Sequence, residues 1–223
     1  MEELERRRSV VFVLGLPGSG KGTICRRIAQ VTVVLHSRRF SLPRVSVLLF
    51  SPAQKYGFEH VSVGEVFRRE TATEGSTYGP VFRLLGGKHV PPGIKLELLK
   101  SAIAESKADT FLLDGFPRNL ELLKAWDADM ADKFPLKFVL FLDCPNEICR
   151  MRIARRAEQG SGRPDDYSVS FLERQRLFET ATMKVIDHFY GTKDIVRVDA
   201  SESNPDAVFQ DVDRVFRAYF GPS

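Results

Sequence analysis

The chain has 223 residues, of which 43% are hydrophobic and 28% are charged, and its formal net charge is +4. This composition is ordinary for a water-soluble globular protein, and the length suffices for one well-packed α/β domain. No apolar run approaches the ~20 residues that a membrane-spanning helix needs, so we expect no membrane partner.

The start of the chain and its cysteines predict a cytoplasmic protein. The first ten residues, MEELERRRSV, are acidic and then basic, and they lack the apolar centre of a secretory signal. Cys25, Cys144 and Cys149 have neither the spacing of a metal site nor that of a disulfide framework. We therefore expect free thiols in a reducing compartment, the cytoplasm, with the nucleus as the alternative.

Five short apolar runs alternate with segments of helical periodicity. The runs that predict strands cover residues 10–14, 60–62, 110–113, 137–142 and 195–198. This alternation is typical of the α/β class, here a parallel sheet of about five strands flanked by helices. Ligands of such sheets bind beyond the carboxyl ends of the strands, so the residues after each run are the first candidates for function.

The first run leads into a phosphate-binding pattern. The segment from Gly15 to Lys21 reads GLPGSGK and fits G-x-x-x-x-G-K, whose glycines let backbone N–H groups point at a phosphate. A helix predicted over residues 21–30 would direct its positive end to the same place. The Ser or Thr that usually follows the lysine is Gly22 here, and Thr23 comes one residue later. The pattern predicts a P-loop.

An acidic residue ends the third predicted strand. Asp114 follows the run FLL and precedes GFPRN. A carboxylate beside a phosphate loop can hold Mg²⁺ through water, although Asp-Gly is also a common turn. We predict a magnesium site at Asp114.

Seven stretches, in their order and spacing, resemble the nucleoside monophosphate kinases. They are GLPGSGKGT, HVSVGEVFRRE, GGKHVPPGI, FLLDGFPRN, LFLDCPNEIC, RRAEQGSGRPDD and RVDASES. The resemblance implies transfer of the γ-phosphoryl group of MgATP to a nucleoside monophosphate. It also implies one P-loop kinase domain over residues 1–223, with a small helical acceptor-binding segment and a lid.

The parts of that domain follow from the same resemblance. The core covers about 9–30, 55–63, 94–156 and 167–220, the acceptor-binding segment 64–93, and the lid 157–166. Only AEQGSG separates Arg156 from Arg163, so the lid is short. It lacks the cysteines of zinc-binding lids, and we expect no structural metal.

The resemblance implies roles for six arginines along the path of the phosphates. Two match residues that hold the acceptor phosphate, two match the pair that clamps the transferred group, one matches a phosphate contact at the lid base, and one matches an arginine stacked on adenine. In that order they are Arg68 and Arg118, Arg163 and Arg174, Arg156, and Arg152. Arg is suited to these roles because its planar fork holds phosphate oxygens in pairs.

The other implied site residues line the two nucleotides. The implied catalytic residues are Lys21, Arg118, Arg156, Arg163 and Arg174. The remaining ATP contacts are Pro17, Gly18, Ser19, Gly20, Gly22, Thr23 and Glu202. The remaining acceptor contacts are Val63, Lys88, His89, Val90, Gly115, Phe116, Pro117 and Asn119.

Three positions favour a pyrimidine acceptor, CMP, UMP or dCMP. Val63 stands where adenylate kinases usually have Thr, and Leu122 stands where they have Gln. Asn119, with Trp126 further on, is similar to the GFPRN…W pattern of UMP/CMP kinases. Leu122 also departs from that pattern, which usually has a base-contacting Asn. An adenylate kinase with AMP as acceptor remains the alternative.

Residues 31–54 interrupt the pattern. Joining Gln30 to Lys55 gives KGTICRRIAQKYGFEHVSVGE, which restores it. The 24 residues correspond to 72 nucleotides, begin with Val (GT codons) and end with Gln (CAG), as an intron read in frame would. We interpret the stretch as an unspliced intron; the alternative is a genuine loop remote from the nucleotides. A nucleotide-binding protein with poor turnover is a further alternative.

The interruption also explains the net charge. It contains three arginines and no acidic residue, so the rest of the chain has 30 basic and 29 acidic residues. The basic charge is therefore a weak reason to expect a nucleic-acid partner. We expect ATP and a nucleoside monophosphate as partners, no nucleic acid, and a monomer.

Overall fold

The computed structural model describes residues 8–29, 57–104, 106–160, 168–192 and 194–221. The stretch 31–54, Arg163 and most of the predicted lid lie outside these ranges. The strands are β1 Ser9–Leu14, β2 Phe58–Ser62, β3 Thr110–Asp114, β4 Leu136–Asp143 and β5 Ile195–Asp199. The helices are α1 Lys21–Ala29, α2 Val63–Ala72, α3 Gly79–His89, α4 Pro92–Ala104, α5 Leu120–Asp129, α6 Asn146–Glu158, α7 Ser168–Leu177, α8 Met183–Thr192 and α9 Pro205–Phe220. A π-helical turn, Phe178–Thr182, joins α7 to α8.

The five strands of the described residues form one parallel sheet. Their order is β2-β3-β1-β4-β5, so β1 lies at the centre. Every residue of β1 is buried, which explains its unbroken apolar sequence, since helices cover both of its faces. The predicted fold class is confirmed, and each predicted strand lies within an observed one.

Each face of the sheet has its own core. Phe12 points to one face, where its ring contacts those of Phe116 and Trp126, each at a centroid distance of 5.5 Å. On the other face Phe138 packs against Phe216 of α9 at 5.3 Å. Helices α4, α5 and α8 cover the first face, and α1, α6 and α9 cover the second.

The cysteines all belong to the core of the second face. Cys25, Cys144 and Cys149 are buried and unbridged, as the sequence predicts. Burial, with a hydrogen bond to Cys144, raises the pKa of Cys149 to about 12, so its thiol is poorly nucleophilic. None of the helices in the described ranges is long and apolar enough to span a bilayer.

Two leucines test how the core stabilises the fold. Leu99 of α4 is fully buried, whereas Leu84 of α3 is 84% exposed. We expect Leu99→Ala to lower the free energy of unfolding by about 2–5 kcal/mol, because it leaves a cavity between α4 and the sheet. The measurement is denaturant unfolding followed by circular dichroism.

Leu84→Ala is the matched control and should change that free energy by less than about 0.5 kcal/mol. Equal effects of the two substitutions would contradict the assignment of α4 to the core.

Candidate active site

The loop after β1 has the geometry of an anion-binding cradle. Gly18 has a φ of 93°, and a Cβ there would lie 2.5 Å from the carbonyl oxygen of Cys149. Glycine is therefore required by both backbone conformation and space. The hydroxyl of Ser19 is buried and has no hydrogen-bond partner in the described part of the chain. Such an orphaned donor in a Gly-rich loop indicates a ligand oxygen as its partner.

Lys21 begins α1 and closes over the same loop. Its Nζ donates to the carbonyl oxygens of Gly15 at 2.7 Å and Leu16 at 3.0 Å. The first turn of α1 has no acidic residue, so the helix N-terminus presents its positive end undiminished. Burial, and to a lesser degree the charge of Arg118, lowers the pKa of Lys21, while Asp114 opposes the shift.

Asp114 ends β3 beside this loop because β3 pairs directly with β1, with Val13 opposite Asp114. Its Oδ2 lies 3.4 Å from Nε2 of His60, and both side chains are 13% exposed. Burial acts to raise the pKa of Asp114, but the His60 hydrogen bond and the charge of Lys21 outweigh it and hold that pKa below its usual value. The carboxylate is therefore ionised at neutral pH.

Gly22 has a physical reason for departing from the usual Ser or Thr. A Cβ at Gly22 would lie 3.3 Å from Oδ2 of Asp114, a contact tighter than ordinary packing. A larger side chain would push the carboxylate away from the loop. Thr23, one residue later on α1, is exposed and keeps its hydroxyl at the loop end of the helix.

Arg68 of α2 and Arg118 of the β3–α5 loop converge on one point. A Cβ at Gly64 would lie 3.3 Å from a terminal nitrogen of Arg68 and 3.4 Å from one of Arg118. Arg118 also donates its Nε to the carbonyl of Gly115 at 3.1 Å. Two guanidinium groups that meet beside a glycine form a site for an anion with several oxygens.

Thr182 fixes the backbone under Arg118. It is 7% exposed, and its hydroxyl donates to the carbonyl oxygen of Arg118 at 3.0 Å. Thr182 ends the π-helical turn Phe178–Thr182, a distortion often found near functional sites. The turn thus joins the helix that carries Arg174 to the loop that carries Arg118.

A cavity of about 370 Å³ opens next to Arg118, and we call it the α4–α5 pocket. It is lined by His89, Val90, Pro91, Pro92, Lys95, Asn119, Glu121 and Leu122. The side-chain oxygen of Asn119 accepts from the backbone N–H of Leu122 at 2.8 Å, so Asn119 caps α5. The pocket thus brings together three of the predicted acceptor contacts, His89, Val90 and Asn119.

The remaining predicted acceptor contacts lie around this pocket or beneath it. Val63 is buried at the start of α2, and Phe116 and Pro117 are buried in the loop that precedes α5. Phe116 packs on Trp126 at a ring distance of 5.2 Å and supports the loop from the core. Lys88 lies on α3, near the end of that helix.

The predicted adenine side is built by α6 and the loop after β5. Arg152 donates to the carbonyl oxygens of Ala200 at 2.9 Å and Glu202 at 2.6 Å. It therefore holds the β5–α9 loop against α6, a contact that the resemblance did not predict. Arg156 is one helical turn further along α6, and Arg174 lies on α7.

Sequence reasoning missed His60, Thr182, Lys95 and Glu121. His60 is two residues from the end of a predicted strand, and side chains at that end of a parallel sheet could have been inspected as candidates. For Thr182, Lys95 and Glu121 no sequence pattern was available. Only the fold brings Thr182 to the carbonyl of Arg118, and only the fold brings Lys95 and Glu121 to the lining of one pocket.

Comparisons with known proteins agree with this geometry. Residues 14–171 match the sequence model of a family described as AAA domain. UMP-CMP kinase of Gallus gallus is 38% identical over 214 residues, covering 93% of this chain and 96% of that protein. UMP-CMP kinase of Homo sapiens is 37% identical with the same coverage, and UMP-CMP kinase 2 of Caenorhabditis elegans is 37% identical over 213 residues, covering 94% and 97%.

The fold and site are those of the P-loop phosphotransferases. The features that define this class are the central β1, its glycine-rich loop and the charges of Lys21 and Asp114 beside that loop. With relatives aligned over nearly its whole length, the chain belongs to the nucleoside monophosphate kinases, in the family of the UMP-CMP kinases. The family predicted from the sequence motifs is confirmed, and the protein is an enzyme of that kind.

Thr182 gives the site a structural test. Thr182→Val keeps the shape of the side chain but removes the hydroxyl, which leaves the carbonyl of Arg118 without this donor. We expect a loss of about 1–2 kcal/mol in the free energy of unfolding. Chemical denaturation of the purified variant measures it.

Thr180→Val, in the same π-helical turn, is the matched control because Thr180 is exposed and bonds only to the preceding helical turn. A Thr182→Val protein as stable as the Thr180→Val protein would show that the bond to Arg118 contributes nothing.

Proposed function

We propose that the chain transfers the γ-phosphoryl group of MgATP to a pyrimidine nucleoside monophosphate, giving ADP and the diphosphate. CMP and UMP are the acceptors, and dCMP is a further candidate. The observation that carries the proposal is the meeting of the charges of Lys21, Asp114 and Arg118 beside the loop after β1, with the α4–α5 pocket adjoining Arg118 at Asn119. Phosphoryl transfer needs mainly alignment of the nucleotides and neutralisation of charge, and this cluster can supply both.

The donor phosphates fit the loop after β1. The backbone of residues 17–23 and the hydroxyl of Ser19 would bind phosphate oxygens, and Lys21 would follow the migrating group with its charge. The adenine would lie against Arg152 and the loop containing Glu202. The faces of the Arg152 guanidinium can stack on a base while its edge donates to the carbonyls of that loop.

The residues beside the loop suit Mg²⁺. An ionised Asp114 and the hydroxyl of Thr23 are hard oxygen donors, which Mg²⁺ prefers. In the described ranges no cluster of three His, Cys, Asp or Glu side chains could hold a metal alone. This supports a metal carried mainly by the nucleotide phosphates, with Asp114 acting through water. When bound, Mg²⁺ would neutralise negative charge on the nucleotide phosphates.

The acceptor side follows from the two converging arginines. Arg68 and Arg118 would hold the acceptor phosphate beside Gly64, next to the α4–α5 pocket. The base would then lie in the pocket, against Val90, Asn119 and the residues near them. Gly115, Phe116 and Pro117 belong to the loop that positions Arg118. We propose that this loop contacts the acceptor.

The clamp on the transferred group combines three arginines. Arg156 and Arg174 lie on α6 and α7, and we assign Arg163 to the same role from the sequence resemblance alone. Closure of the lid at 157–166 and of the acceptor-binding segment 64–93 would bring these arginines together and expel water. Exclusion of water prevents hydrolysis of ATP in place of transfer.

The remaining proposals concern the oligomeric state, the compartment and the partners of the enzyme, and the origin of residues 31–54. We propose a monomer that acts in the cytoplasm, with the nucleus as the alternative compartment, and with neither nucleic acid nor membrane as partner. We also propose that residues 31–54 are encoded by an unspliced intron that was read in frame.

Substitution of Lys21 tests the catalytic assignment. We expect Lys21→Met to lower kcat about 100-fold or more, because it removes the charge nearest to the migrating phosphoryl group. A coupled assay of ADP formation with CMP as acceptor measures the effect.

Lys100→Met is the matched control, since Lys100 forms ion pairs with Glu97 at 2.9 Å and with Asp129, neither of which belongs to the loop. Near-normal turnover of Lys21→Met would contradict the proposed site.

Acceptor competition tests the substrate class. We expect kcat/KM with CMP or UMP to exceed that with AMP by about tenfold or more, since Val63 and Leu122 offer adenine no polar partner. Higher efficiency with AMP would make the enzyme an adenylate kinase.

A variant that lacks residues 31–54 is assayed beside the full chain. Activity of the deletion variant alone would show that the stretch prevents turnover, and equal activities would show that it is tolerated.

A further inference from the structure

Two opposite charges line the α4–α5 pocket, and the proposed function gives neither of them a role. Lys95 lies half-buried on α4, and Glu121 lies in the first turn of α5. Both side chains belong to the lining of the same cavity, and they lie close enough for the charge of Glu121 to act on Lys95. A small ligand in the cavity would meet both.

Lys95 lies within electrostatic reach of the reaction centre. Burial lowers the pKa of Lys95, the charge of Arg118 lowers it further, and the charge of Glu121 opposes the shift. The charges of Arg118 and Glu121 therefore both act on the ammonium group of Lys95. A nucleotide whose phosphate is held by Arg118 would have its base beside these two groups.

The other pocket walls offer the base few polar groups. Val90 and Leu122 are buried apolar side chains, and Pro91 and Pro92 lack an N–H group. The side-chain oxygen of Asn119 is already used to cap α5. The described lining also contains the amide nitrogen of Asn119, the exposed ring of His89 and the charged groups of Lys95 and Glu121, and charged groups make the stronger hydrogen bonds.

We propose that Lys95 and Glu121 read the polar edge of the acceptor base and make CMP preferred over UMP. This inference rests on the proposed function, because it takes the pocket as the acceptor site. Cytosine presents a carbonyl acceptor at C2 and an amino donor at C4. An ammonium only donates and a carboxylate only accepts, so Lys95 matches the carbonyl and Glu121 matches the amino group.

Uracil differs from cytosine at the position that Glu121 reads. Its C4 substituent is a carbonyl, which has no proton to give and would face the negative carboxylate. Its C2 carbonyl is the same, so Lys95 should serve both pyrimidines. Because the N3–H of uracil could also donate to a carboxylate, the choice between the two bases requires that Glu121 face the C4 substituent, while Lys95 sets the affinity for either base.

The experiment compares CMP and UMP in wild type and two variants. We expect the wild type to use CMP with about tenfold higher kcat/KM than UMP. Glu121→Gln should reduce that ratio to about two, because an amide can both donate and accept. Lys95→Met should lower kcat/KM about tenfold for both acceptors, through KM, and leave the ratio and the KM for ATP unchanged.

Matched substitutions elsewhere on α4, at Glu97 and at Lys100, which also pairs with Asp129 of α5, control for loss of charge alone. Glu97→Gln and Lys100→Met make the same chemical changes at an exposed ion pair outside the pocket, and both should leave the CMP/UMP ratio at the wild-type value. A ratio that Glu121→Gln does not change, or a wild type that prefers UMP, would overturn the inference.

Calorimetric binding of CMP and UMP separates this inference from the proposed function. Turnover of both acceptors with equal binding contradicts only the roles of Lys95 and Glu121. Tighter binding of CMP that is lost in Glu121→Gln, without turnover, supports those roles and contradicts the kinase activity. Absence of both turnover and binding contradicts the two together.

Discussion

The parallel pairing of β1 with β3 places the charges of the site. Val13 stands opposite Asp114, so the loop after β1 and the carboxylate at the end of β3 emerge side by side. Lys21 lies at the start of α1, and Arg118 lies just beyond Asp114. Because β1 and β3 run in the same direction, both residues lie at the same end of the sheet. Burial alone would favour the neutral form of Asp114, but the hydrogen bond with His60 and then the charges of Lys21 and Arg118 hold the pKa of Asp114 below its usual value.

That arrangement tolerates little change in the backbone around it. The loop passes so close to α6 that Gly18 cannot have a side chain, and Gly22 lies against Asp114. On the acceptor side, Thr182 holds the carbonyl of Arg118, and Phe116 anchors the same loop in the core. The strands therefore set the position of the charges, and contacts from α6 and the π-helical turn set their orientation.

The sequence could predict the fold and the centre of the site because both have local signatures. Strands buried on two faces are continuous apolar runs, and the phosphate loop has its glycines and Lys21 at fixed spacing. The partners that orient these groups have no such signature. His60 contacts Asp114 across 54 residues and Thr182 contacts Arg118 across 64, distances in sequence that only the folded chain bridges.

Positive charge in this protein is a local property of the site. Without residues 31–54 the chain is nearly neutral, with 30 basic and 29 acidic residues, yet Lys21, Arg68 and Arg118 lie near one another at the carboxyl ends of β1 and β3. A field of this kind attracts a nucleotide without making the whole surface basic. The same reasoning applies on a smaller scale in the α4–α5 pocket, where the opposite charges of Lys95 and Glu121 nearly cancel but create a gradient of potential along the lining. Such a gradient cannot hold a phosphate better, but it can discriminate between bases whose edges differ in polarity, and this is the property a pyrimidine kinase needs beyond its phosphate site.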